Sequence, residues 1–164
     1  TMNIDWTAIG VIFTAIGSCS TAISIVILIV TLFYLQREVH QARISTYAGA
    51  YKAIVEILQV EEIRNARRHL FENLEKKPFE SWNEEDKRAA EKVCHTYDSV
   101  GQIVRYGFIP KHYVVDSWGA SLRRSWAIIL PLVFEYRKQN NAAEIWDDYE
   151  WLAKEAKPFQ KPLK

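Results

Sequence analysis

Charge is almost missing from the start of this chain. Among its first 36 residues only Asp5 carries one, and all 21 Lys and Arg follow later in the 164-residue sequence. The net charge of +1 excludes the general basic excess that marks nucleic-acid binders, so no direct nucleic-acid contact is expected. Cysteine is scarce as well. Cys19 falls in an apolar segment and Cys94 in a predicted helix. Settings so different do not favour a pair, and the lack of a disulfide framework suits a reducing compartment. There is no CxxC and no HExxH, and His40, His69, His95 and His112 are scattered singly. Neither a metal site nor a cofactor is expected. Alternating strand patterns, repeats and low-complexity stretches are absent too, which leaves an all-α chain.

What the start does contain is "IGVIFTAIGSCSTAISIVILIVTLFYL", Ile9 to Leu35. As a helix, Trp6 to Tyr34 would span roughly 40 Å, the approximate thickness of a bilayer with its interfaces. Trp6 at one end and Phe33 with Tyr34 at the other fit an aromatic belt. A cleavable signal peptide fits poorly, because a basic leader is missing and the apolar run is too long. The flank "TMNID" has no Lys or Arg, whereas Arg37, Arg43 and Lys52 follow the segment. The expectation is a single span in a bacterial inner membrane, N-terminus outside and the remainder in the cytoplasm.

Small and hydroxylated residues follow a heptad within the span: Gly10, Thr14, Gly17, Thr21 and Ser24, continued by Leu28 and Thr31. In lipid, small residues let helices approach and hydroxyls bond across the contact. The expected contact is a second copy of this span, hence a homo-oligomer. A chance register of small residues is the plainer alternative, and a hydroxyl-lined pore is a narrower form of the first.

Beyond the span, helical periodicity persists. Val39, Ile44, Tyr47, Tyr51, Ile54, Val55 and Leu58 make one stripe, with no proline to interrupt it and flexibility at Gly49. Ile63, Ala66, Leu70 and Leu74 make a second, ended by Pro78. Ser81 or Asn83 can cap a third helix, whose Ala90, Val93, Tyr97, Val100 and Val104 face inward and which Gly107 stops. The segment after Pro110 reads as one or two helices, kinked or broken near Pro131. Its apolar run Ala127–Phe134 is too short to span a bilayer. Ile145, Tyr149, Leu152 and Ala156 mark a last helix. The expected fold is all-α: a transmembrane segment in 1–36, a compact bundle of roughly five helices in 37–157 and a loose tail at 158–164.

The stretches "EEIRNARRHLFENL", "NEEDKRAAEKVCHTYDSVGQIVRYGFIP", "WGASLRRSW" and "DYEWLAKEA" carry a resemblance. An acidic helix start leads to aromatic-Asp-x-x-Gly and then to a Gly-hydrophobic-hydrophobic-Pro turn. The pattern, over most of residues 4–156, resembles a family of small bacterial membrane-anchored proteins of unknown function. It implies one N-terminal span and a helical cytoplasmic domain, and it supplies no catalytic residues.

Arg64, Arg67, Arg68, Arg105, Arg123 and Arg124 are candidates for an anionic ligand or an acidic protein partner, since guanidinium forks suit phosphate and carboxylate. The plainer reading is ion pairing, Glu61 with Arg64 and Arg68 with Glu72 at helix-neighbour spacing. Cys94, His95 and Asp98 lie close in sequence, but a nucleophile would need a further partner. Trp82, Trp118, Trp126, Trp146 and Trp151 read mostly as core. The expected function is a non-enzymatic, membrane-anchored signalling or effector module, in a layout resembling membrane-disrupting antiviral effectors. The alternative is an oligomeric membrane scaffold that recruits a cytoplasmic partner.

Overall fold

The computed structural model describes the backbone of residues 6–156 and the side chains of residues 24–156. The expected tail at 158–164 lies outside the described residues. Helix α1 runs Trp6–Gln59, α2 Glu61–His69, α3 Glu84–Arg105, α4 Lys111–Asn140 and α5 Asp147–Glu155. A π-helical turn, Leu70–Leu74, continues α2, and a 3-10 turn, Phe79–Ser81, precedes α3. No strand occurs among the described residues, so the all-α reading holds. The chain divides between Ser45 and Thr46 into two units. The second holds the end of α1 together with α2 to α5, giving five helical segments.

Local chemistry sets most boundaries. Val60 is extended, at φ −51° and ψ 133°, and separates α1 from α2. Glu61 and Glu62 begin α2, and Arg67, Arg68 and His69 end it, so both ends complement the helix dipole. The amide of Glu75 then donates to Leu70 O at 3.1 Å, the wider spacing of a π turn. Asn83 starts α3 with a capping box: its side chain accepts from the Asp86 amide, and the Asp86 side chain accepts from the Asn83 amide. Gly107, at φ +77°, stops α3. Its amide reaches Val104 O at 3.0 Å and the Phe108 amide reaches Ile103 O at 3.1 Å, the paired bonds of a Schellman turn.

Helix α4 continues through Pro131 rather than breaking there. A proline inside a helix removes one hydrogen bond. Here Ile129, Leu132 and Val133, on either side of it, are fully buried, and their packing holds the helix together. Asn141 closes α4 in the left-handed region. Trp146, at φ 57°, starts α5 in the same region, where bulky residues are rarely found.

Helix α3 packs against α2, α4 and α5. Its expected inward residues, Ala90, Val93, Tyr97, Val100 and Val104, are all buried, and so are Ala66, Leu70 and Leu74 before them. Trp82 and Trp146 are buried, and Trp118, Trp126 and Trp151 pack against the core. The long stripe on α1 divides. Ile54 and Leu58 are fully buried, whereas Val39 and Ile44 remain 46% and 55% exposed. Residues 37–45 carry charges and are exposed.

Candidate functional site

In the first unit the large apolar side chains from Ile25 to Leu35 are 47–65% exposed, around the whole circumference of α1. Thr31 satisfies its hydroxyl internally, donating to Ile27 O at 2.8 Å. By length and composition this is the one helix among the described residues fit to cross a membrane. Of the small-residue seam, Ser24 is exposed, while the side chains of Gly10, Thr14, Gly17 and Thr21 lie outside the described residues.

The six arginines do not converge. Arg67 is buried and donates to Leu58 O at 2.8 Å, a carbonyl in the last turn of α1, with its guanidinium 5.0 Å from the Trp118 ring. Arg123 donates to Ala156 O, 2.6 Å away at the end of α5. Arg105 bridges Asp147 and Asp148, both at 2.8 Å, at the start of α5. Arg124 forms a two-pronged pair with Glu75, at 3.0 and 2.7 Å, over the Phe71 ring. Arg67 and Arg123 hold carbonyls at helix ends, where backbone groups otherwise lack partners, and Arg105 and Arg124 pair with carboxylates of other segments. Arg64 and Arg68 are exposed, and neither the Glu61–Arg64 nor the Arg68–Glu72 pair forms among the described residues.

The aromatic-Asp-x-x-Gly motif, Tyr97 to Gly101, seats α5. Asp98 accepts the Tyr149 amide at 3.0 Å. A Cβ on Gly101 would lie 2.5 Å from Asp148 O, so only glycine lets the two backbones meet. The Tyr97 hydroxyl bonds Ser121 at 2.8 Å, and its ring lies 5.1 Å from that of Tyr149. Burial, then the nearby Asp148 and Asp147, push the Asp98 carboxyl up, against the opposing Tyr149 amide. Oxygens of Asp98, Asp147 and Asp148 lie within 4.8 Å of one another, a spacing that could hold a cation. Arg105 already supplies positive charge to two of them.

Cys94 is fully buried, and burial, then Asp98 and Glu91, raise its thiol well above the usual range. The His95 ring points to Trp146, whose Nε1 donates to Nδ1 at 3.5 Å. Cys94, His95 and Asp98 thus serve three separate contacts, with no nucleophile–base hydrogen bond among them.

A groove of about 390 Å³ between α2 and α3 escaped the sequence reading. Ala66 and Ala89 form its small-residue floor, and Glu62, Asn65, Glu85, Arg88 and Lys92 its polar walls. The available signal was polar side chains at i, i+3 and i+7 around an alanine on both helices. His69 lines one edge. Asn73 donates to His69 Nδ1 at 2.9 Å, so Nε2 carries the proton that is given to Asp86 at 2.7 Å. Burial alone raises the Asp86 carboxyl, but hydrogen bonds from Lys77, the Asn83 amide and His69 outweigh it and hold the pKa at about 2. This arrangement fixes the start of α3.

A helical bundle around α3, with one apolar helix surface left uncovered, defines the class: an all-α protein with, among the described residues, a single helix fit by length and composition to cross a membrane. The sequence model of the family described as a domain of unknown function, DUF4760, matches residues 18–156. The chain belongs to that family. The matched region begins inside α1, so the apolar helix is part of the family pattern together with the bundle. No curated protein and no solved structure matches the chain.

Proposed function

We propose that this chain is a membrane-anchored helical module that self-associates through α1 and acts in signalling or as an effector, membrane disruption in antiviral defence being the effector form. The span would lie in the bacterial inner membrane, N-terminus outside and bundle in the cytoplasm. One observation carries the reading: the uncovered apolar surface from Ile25 to Leu35. A large apolar side chain gains roughly 1.5–3 kcal/mol on leaving water. Summed over this surface, the gain exceeds the whole stability of about 5–15 kcal/mol typical of a domain. Such a helix requires an apolar environment, and lipid supplies one of the right thickness.

Labelling of substituted cysteines in intact cells tests the orientation. Thr7→Cys is expected to react from outside and Glu84→Cys is not; the reverse pattern sinks it. Crosslinking of single cysteines along residues 10–31, without Cys19, tests the seam. Peaks in phase with Gly10 and Gly17 support it, and peaks at Ile12, Ile16 and Ile23 overturn it. Gly17→Leu is expected to weaken the oligomer and Val26→Leu to leave it intact.

The scaffold reading draws on a separate feature. Arg64 and Arg68 are exposed and make no ion pair within the described residues, which fits an acidic protein surface or an anionic ligand. Overexpression separates the two readings. An effector depolarises the membrane and loses that effect in Gly17→Leu, whereas a scaffold leaves the membrane potential unchanged.

A further inference from the structure

The groove between α2 and α3 is lined twice by one pattern. Glu62, Asn65, Ala66 and His69 on α2 stand at the same spacing as Glu85, Arg88, Ala89 and Lys92 on α3. Each wall runs from an acid, past an alanine, to a nitrogen base. The two walls run in opposite directions. Lys92 pairs with Glu62 at one end, and at the other His69 meets Asp86, the neighbour of Glu85, at 2.7 Å. The acidic start of each wall therefore lies across from the basic finish of the other. Two similar helical faces laid antiparallel give the groove an approximate two-fold symmetry within one chain.

Much of this lining is unused by the chain itself. Asn65, Glu85 and Arg88 are exposed and make no hydrogen bond or ion pair among the described residues. An occupant that suits the walls must offer a base to Glu62, an acid to Lys92 and a donor to the Asn65 carbonyl. The same pattern turned over offers all three. Rotating a copy about the long axis of the groove lays α2 of one chain on α3 of the other. Glu62 then faces Lys92 of the second copy, and Asn65 faces its Arg88. Ala66 faces Ala89 at the centre, where small side chains let the helices come close. Glu85 falls over the His69 edge, at the rim, where it stays hydrated. Rotation about an axis across the groove would instead set Arg88 on Arg88, and like charges facing each other work against a contact. A closed two-fold contact requires a patch that complements itself, and this one does.

We infer that the α2–α3 groove is a two-fold contact between the bundles of two copies of this chain, α2 of each lying over α3 of the other. The contact lies wholly within the second unit and is separate from the seam proposed on α1. Exposed ion pairs add little strength. The charges here set which surfaces meet and in what register, while the close approach over the alanines supplies the buried area.

The test uses the full chain with Cys19→Ser in phosphatidylcholine vesicles, leaving the fully buried Cys94 in place. Two populations with different tags are mixed, one carrying Asn65→Cys and the other Ala89→Cys. A disulfide between them is expected to form at least fivefold faster than within either population alone, or with the exposed Asn140→Cys in place of either. Equal rates in all pairings overturn the contact. Faster 65–65 or 89–89 disulfides overturn the laying of α2 on α3. With Glu62→Lys added to both populations, Lys faces Lys92 and the rate is expected to fall at least fivefold. With Glu62→Lys in the first and Lys92→Glu in the second, every facing pair is opposite in charge again, although each chain keeps a like-charge clash of its own. The rate is then expected to return. Failure to return means that these charges act only within one chain, which also overturns the inference. Crosslinking between 65 and 89 with a flat pattern along residues 10–31 keeps this contact and removes the seam on α1; the opposite result removes this contact and keeps the seam.

Discussion

Two apolar runs of this chain have similar side chains and opposite surroundings. In α4, between Ala127 and Phe134, Ile129, Leu132 and Val133 have no exposed surface. In α1, no large side chain from Ile25 to Leu35 is less than 47% exposed. Both runs are helical, so local conformation does not separate them. The α4 run is short and bounded by charge, Arg123 and Arg124 before it and Glu135 and Arg137 after. One face meets the core, and Phe134 at 60% exposure marks where that face ends. The α1 run is apolar on every side, and such a helix is stable only where every side is covered. Stability of the bundle therefore resides in α4 and its neighbours, while the α1 run from Ile25 to Leu35 buries none of its large side chains among the described residues.

The largest expected effect tests that division directly. Leu132→Ala is expected to cost about 2–5 kcal/mol in denaturant unfolding followed by tryptophan fluorescence. Ile27→Ala is expected to change the same transition by less than about 0.5 kcal/mol. Equal effects would mean that the exposed run contributes to the bundle after all. A smaller effect sharpens the contrast at two glycines. Gly101→Ala forces a Cβ against the Asp148 backbone and is expected to cost about 1–3 kcal/mol. Gly49→Ala meets nothing within 4 Å and is expected to gain about 0.5–1 kcal/mol from helix propensity. If both destabilise, α1 near Gly49 is not a free helical surface.

Acid supplies the next comparison. The Asp86 carboxyl is depressed from 3.8 to about 2, so its stabilisation is complete above pH 4 and disappears as the pH falls through about 2. Its Lys77 and His69 partners are partly solvent-exposed, and screening limits the loss to about 1 kcal/mol. Asp86→Asn is expected to flatten stability over that window; an unchanged slope places the acid sensitivity elsewhere. The smallest effect is expected on α2, where Arg64→Ala and Arg68→Ala change unfolding by less than about 0.5 kcal/mol. A larger loss for either would assign it to the fold and remove it from the candidate partner surface.

Much of this architecture is legible from local pattern. The buried faces of α2 and α3 follow from periodicity, and Asn83 and Gly107 mark their boundaries, because caps and turns depend on a few adjacent residues. The arginines show where such reading stops. Helix spacing suggested Glu61–Arg64 and Arg68–Glu72, yet the pairs that form are Arg124–Glu75 and Arg105–Asp147, 49 and 42 residues apart. No local period encodes a partner at that distance. Likewise the left-handed conformation of Trp146 is stabilised by burial between His95 and Tyr136, not by its neighbours in sequence.

By itself, then, the sequence determined an all-α chain, its helix faces, and one helix apolar on all sides, because each depends on periods of a few residues and on the free energy of removing apolar surface from water. Only the tertiary structure decided that four of the six candidate arginines are engaged by partners within the bundle, that the Gly101 backbone receives α5, and that Tyr106 and Phe108 stay outside the core. Those outcomes depend on which helix ends meet in space, and that is set by the packing of the whole bundle around α3.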